Sequence, residues 1–248
     1  MRKSALIVLL LGSLFFSACN FTEDMRINED GTGKISIDFD GSGLMEMAGN
    51  ELAQKEEKKI DTIISFKEFL IEKKDSIATL SQEEQDRLKR LENFDMRMLM
   101  DPEAREMNFS LYSEFKNVDE LGDMLSNFQQ ASELQGKGNG TSGPGQSPMG
   151  GSQGTEVSYS FIEDRFSRKT IIVDQELFRS SIDSLEQAKM FLGESTYTLN
   201  YHFPRKIKKI SAEKALFSQD GKSFTLEVDF LELMEKPELL DIEVELEK

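Results

Sequence analysis

Several stretches of the chain alternate strictly between apolar and polar residues, and a period of two commits a backbone to strands with one face buried. Tyr197, Leu199, Tyr201 and Phe203 form one such run, and Phe224, Leu226, Val228 and Phe230 form another. Ile242, Val244 and Leu246 close the chain with Glu at the intervening positions. Near the start, Met25 and Ile27 lead through Glu29-Asp30-Gly31-Thr32-Gly33 to Ile35, Ile37 and Phe39, and Asp-Gly there supplies the positive φ of a tight hairpin turn. Asp220-Gly221 is a second turn signal. Val157, Tyr159 and Phe161, then residues 170–173, extend the pattern, and residues 107–115 read as a further strand.

Between residues 50 and 94 the spacing becomes helical, through Ile60, Ile63 or Ile64, Phe69 or Leu70, Ile77 and Leu80, then Leu88, Leu91 and Phe94. Two helices are expected, broken near residues 79–82, where Ser81 and Glu84 form a capping box. The intermixed acids and bases of residues 51–92 mark a solvated face. Asn117 followed by Glu120 signals a helix start for Leu121, Leu125 and Phe128, and Ile182, Leu185, Ala188 and Leu192 share another helical face. Residues 136–155 carry eight of the 17 glycines plus Pro144 and Pro148, and are expected to form a flexible insertion. Hairpins separated by helices give an α+β domain over residues 25–248, with a mainly antiparallel sheet.

Chemistry is constrained by what the composition lacks. One Cys and one His exclude zinc fingers, iron–sulfur sites and a disulfide framework. A formal charge of -16 argues against nucleic-acid binding, which is driven mainly by neutralisation of phosphates by Lys and Arg. No metal, cofactor or catalytic residue is assigned.

Residues 1–19 read MRKSALIVLLLGSLFFSAC: two bases, an apolar run of about a dozen residues, and small residues before the sole Cys. This is a secretory signal, too short to span a bilayer. Phe16-Ser17-Ala18-Cys19 resembles the lipobox of bacterial lipoproteins, in which signal peptidase II cuts before the Cys. The resemblance implies a signal peptide over 1–18, a diacylglycerol thioether and an acylated amine on Cys19, and a short acidic tether over 19–24. Several acyl chains make a stable anchor where one is marginal. Losing Arg2 and Lys3 with no acid takes the charge from -16 to -18. Asn20 after the Cys favours the outer membrane, by resemblance to lipoprotein sorting. The order of an early hairpin, a strand and helix over 108–128, and the Tyr201-His202-Phe203-Pro204 strand end before the Asp220-Gly221 hairpin is similar to LppM-like bacterial lipoprotein domains. That family brings no catalytic residues.

Arg205, Lys206, Lys208 and Lys209 form the one dense basic cluster, read either as a contact for anionic lipid head groups or envelope polymers, or as a charged strand end that blocks edge pairing. His202 falls on the opposite face from Tyr201 and Phe203, as a half-exposed strand residue. Asp38, Asp40 and Ser42 resemble the start of a calcium loop, but the twelfth position is Gly49 rather than the closing Glu, so a polar strand exit is expected. Met96, Met98, Met100 and Met107 are read as core filler, with an apolar-ligand pocket as the alternative. Thr62, Ser76 and Ser184 sit in Asp-Ser/Thr-apolar triplets resembling O-glycan acceptors of Bacteroidota envelope proteins. Together these features describe a membrane-anchored envelope lipoprotein acting as a non-enzymatic binding or structural accessory to a protein or lipid partner. A carrier for lipid or another apolar ligand, and a carboxylate-based envelope hydrolase, are the alternatives.

Overall fold

The computed structural model describes residues 19–43, 45, 59–122, 124, 154–185 and 189–248. The Gly-rich insertion expected at 136–155 lies outside them except for residues 154 and 155. The first hairpin forms as the sequence requires: β1 (Asn20–Ile27) pairs antiparallel with β2 (Gly33–Asp40), and Gly31 takes φ +81° at the turn. Residues 20–24 are therefore the first half of a strand, which corrects the expected tether.

Residues 60–94 differ most from the helical reading. Residues 60–65 form a strand, β3 (Ile60–Ser65), followed by short helices α1 (Phe66–Glu72) and α2 (Lys74–Ile77). Then comes α3 (Gln82–Lys89), and both halves of the Ser81–Glu84 capping box are present. Phe94 begins β4 (Phe94–Asp101), which pairs with both β3 and β5 (Glu106–Phe115). Ile60, Ile63 and Ile64 fit a helical spacing, yet here the ladder to β4 takes precedence over local pattern. Asn117 accepts from the Asp119 N–H at 3.2 Å and starts a 3-10 turn, Val118–Glu120, and the Leu125 and Phe128 positions of the helix expected there lie outside the described residues.

After the insertion come β6 (Thr155–Ile162), β7 (Arg165–Ile172), α4 (Gln175–Leu185) and α5 (Lys189–Leu192). The remainder is β8 (Thr196–His202), β9 (Ile207–Ile210), β10 (Leu216–Phe217), β11 (Ser223–Asp229), α6 (Phe230–Glu235) and β12 (Ile242–Leu246). They build two sheets, β10-β11-β8-β1-β2-β5-β4-β3 and β6-β7-β12-β9. Every pairing is antiparallel except β1 with β8.

The sheets share one core. Phe21, Met25 and Ile27 of β1, Ile35, Ile37 and Phe39 of β2, and Leu199 and Tyr201 of β8 point inward, with Phe166, Ile242, Val244 and Leu246 supplied by the smaller sheet. Phe166 meets Tyr201 and Phe203 edge-on at 5.6 and 5.4 Å, and Phe230 of α6 stacks on Phe21 at 4.4 Å. Such pairs add roughly 0.5–1.5 kcal/mol each beyond their area. Met96, Met98 and Met107 pack against this core from its β4–β5 side, as filler.

Candidate functional site

Successive side chains of a strand point to opposite faces, so the alternation that buries Glu23 in the core sends Asp24 to the outside. Two rows of outward-facing residues cross the large sheet in register. One runs Asn200, Asp24, Ser36, Tyr112, Asp95, Ser65, and the other His202, Arg26, Lys34, Glu114. Lys67 of α1 and Lys89 of α3, with Arg90, Glu92 and Lys116, wall the rows in and make an open cleft of about 1670 Å³.

Charge in this cleft is balanced, unlike that of the acidic chain around it. Lys34 pairs with Glu114 at 2.6 Å, and that hydrogen bond holds the Glu114 carboxyl below its usual range. Arg26, Lys67, Lys89, Arg90 and Lys116 also line it, and among the described residues none has an acid within ion-pair distance. Burial and then the neighbouring Asp38 raise the Asp24 pKa, against the opposing influence of His202 and a hydrogen bond to Asn200. Ser36 donates to Asp38 at 2.9 Å.

On the inner face Glu23 is 1% exposed and is met from both sheets. Tyr159 donates to its Oε1 at 2.9 Å, Tyr197 to its Oε2 at 2.8 Å, and Tyr201 to its Oε1. Arg168 stands 3.5 Å away, donates to the Leu240 carbonyl at 3.3 Å, and lies over the Tyr159 ring. Burial, and then the Glu23 charge, raise the pKa of all three phenols, so they remain neutral donors. Burial opposes the Arg168 charge, but Glu23 and then the phenols lift its pKa well above the ordinary value. Its Nε is buried without a partner. Sealed from solvent, this cluster joins the two sheets rather than meeting a ligand.

The residues singled out from sequence are dispersed. Cys19 is 1% exposed at the head of β1, in the full-length chain. Placing a lipid on its sulfur requires residue 19 to leave the buried core cluster and turn outward, while the β1 register, which begins at Asn20, stays in place. Arg205 braces the turns at one end of the molecule, donating to the carbonyls of Glu163 at 2.8 Å and Glu247 at 3.1 Å. Its Nε is 3.2 Å from Glu29, at ion-pair distance but not aligned for a hydrogen bond. Lys208 pairs with Glu245 at 2.5 Å, and with Lys209 it stands exposed on β9, an edge strand. None of Arg205, Lys206, Lys208 and Lys209 lines the cleft, whereas His202 does, half-exposed on the outer face. Thr62 lies on β3, Ser76 is exposed on α2, and Ser184 falls within α4. Asp40 ends β2 by accepting from the Ser42 N–H at 2.9 Å, as a polar strand exit. Among the described residues no group of acids, His or Cys is placed to hold a metal, and no helix is long and apolar enough to cross a membrane.

No family model and no curated protein matches the chain. Among solved structures, it is similar to the folded domain of LppM from Mycobacterium tuberculosis, at 6% identity and a TM-score of 0.36, covering 94% of this chain and 93% of that domain.

Proposed function

We propose that this chain is a lipid-anchored accessory protein of the bacterial envelope, held through acylated Cys19, that binds an anionic partner in the cleft on the outer face of its large sheet and performs no chemistry on it. The observation that supports the binding role is the set of five cations in that cleft, Arg26, Lys67, Lys89, Arg90 and Lys116, none of which has an ion-pair partner among the described residues, although Asp24, Glu92, Asp95, Asp119 and Glu120 line the same cleft. In a chain of net charge -16, long-range attraction of an anion is weak, so recognition is local and falls with salt. The anchor rests on the lipobox-like ending of the N-terminal apolar run.

The test is native mass spectrometry of protein extracted from its own envelope, set beside its denatured mass. The expected denatured mass is that of residues 19–248 plus acyl chains, and the expected native mass carries an adduct that is lost when Arg26 and Arg90 are both replaced by Gln. A denatured mass that retains residues 1–18 overturns the anchor. A bare native mass, or an adduct retained equally by the double variant, overturns the cleft assignment. Independently, Cys19→Ala is expected to move the protein to the soluble fraction.

A further inference from the structure

We propose that the Cys19 end of the sandwich rests directly on a phospholipid bilayer, with Ile171, Ile172, Val173 and Leu177 inserted among the lipids and the cleft held toward the distal end. The inference rests on the anchor reading above and adds an orientation to it.

The first premise is the absence of a spacer. β1 begins at Asn20, immediately after the anchor position, and its register with β2 and β8 is complete from that residue onward. A membrane attachment at residue 19 therefore draws one end of the rigid sandwich to the interface.

The second premise is what that end presents. Tyr201 is the ladder partner of Met25, and Phe166 packs on Tyr201 at 5.6 Å. Two residues earlier on β1, Glu23 meets Arg168, two residues later on β7. β7 thus runs opposite to β1 across the sandwich, and by continuation residues 171–173 reach the level of Cys19. There Ile171 is 58% exposed, Val173 53%, Leu177 48% and Ile172 37%. Single exposed apolar side chains are ordinary, but here four fall within seven residues at the attachment end, Ile171 and Ile172 on opposite sides of β7, so that the end of the strand as a whole, rather than one face, presents apolar side chains.

Charge selects the lipid. Asp174 and Glu176 lie within this stretch, and Asp174 accepts from the Glu176 and Leu177 N–H groups at 2.9 and 3.0 Å. Acids at the contact disfavour anionic head groups, so the fit is to a zwitterionic surface. The opposite end holds the β1–β2 turn, where Asn28 and Thr32 line the cleft and Glu29 meets Arg205. Cleft and basic cluster consequently lie toward the end of the sandwich farther from the bilayer.

The chain contains no Trp, so one introduced indole reports alone. The lipidated protein bearing Ile171→Trp, Val173→Trp or, as the distal reference, Lys206→Trp is reconstituted into vesicles of brominated phosphatidylcholine and floated on a density gradient. The expected result is flotation of all three, with blue-shifted emission that is mostly lost to bromine quenching at 171 and 173, and unchanged emission at 206. Flotation with equal, unquenched emission at all three positions overturns the orientation while leaving the anchor intact. Failure of the lipidated chain to float overturns the anchor reading, and the orientation with it.

Discussion

Glu23 and Asp24 are consecutive residues of one strand with the same functional group, and the sheet assigns them opposite surroundings. Glu23 is closed in by three phenols and a guanidinium contributed by both sheets. Asp24 stands in an open cleft beside Asn200 and His202. The inner carboxylate is fully provided with donors and cannot reach a ligand, whereas the outer one lies where ligands can arrive. The pleat separates a charge enclosed by the core from one left open to solvent within a single peptide unit.

The largest effect expected from this contrast follows removal of the inner carboxylate. Glu23→Leu strands Arg168 as a buried, uncompensated cation and is expected to cost about 3–5 kcal/mol in denaturant unfolding. Pairing it with Arg168→Met replaces the whole ion pair by apolar volume, and most of the loss is expected to return. A double variant as unstable as the sum of the two singles breaks the view that these charges act as one unit.

A smaller loss, about 2 kcal/mol, is expected for Tyr197→Phe, which deletes one donor to an ionised acceptor. Tyr112→Phe on the outer face serves as its counterpart, expected to leave stability nearly unchanged. Equal losses at the two positions would erase the distinction between the faces.

The smallest effect belongs to Asp24, and its sign is opposite. Its pKa in the folded chain is raised above 3.8, first by burial and then by Asp38, so the native state holds the proton more tightly than the unfolded chain. Below 3.8 the carboxyl is protonated in both states and costs nothing, and as pH rises past the folded value its ionised form opposes folding. Asp24→Asn is thus expected to raise Tm at neutral pH, with a gain that fades as pH falls through the raised folded value and is lost below 3.8. A gain independent of pH would assign the effect to something other than the charge.

Legibility from sequence follows the range of the interactions involved. β8, β11, β12 and the first hairpin are written in local alternation, and the Ser81–Glu84 cap in a four-residue motif, so each is recovered nearly in place. β3 is not, because Ile60, Ile63 and Ile64 satisfy a helical spacing and only pairing with β4 decides otherwise. β4 carries a usable signal, since Phe94, Met96, Met98 and Met100 alternate, but methionine suits core gaps in any element and so masks the period. The Glu23 cluster joins residues more than 130 positions apart, and Glu23 itself looks like one more acid in an acidic stretch. The cleft is equally silent, since Arg26 sits on β1, Lys67 and Lys89 on two separate helices, and Arg90 and Lys116 just past α3 and β5, and only the packing of these elements against the large sheet brings them together.

One pairing also sets an order of events. β1 meets β2 across a five-residue turn, but its other neighbour, β8, begins 176 residues after Asn20 and is its only parallel partner. A chain made from its N-terminus can close the first hairpin early, then must carry the other border of β1 unpaired until residues 196–202 arrive. Closure across so long a separation is slow, and an open strand border is sticky in the meantime. β1 is therefore among the first strands to be made and among the last to be completed.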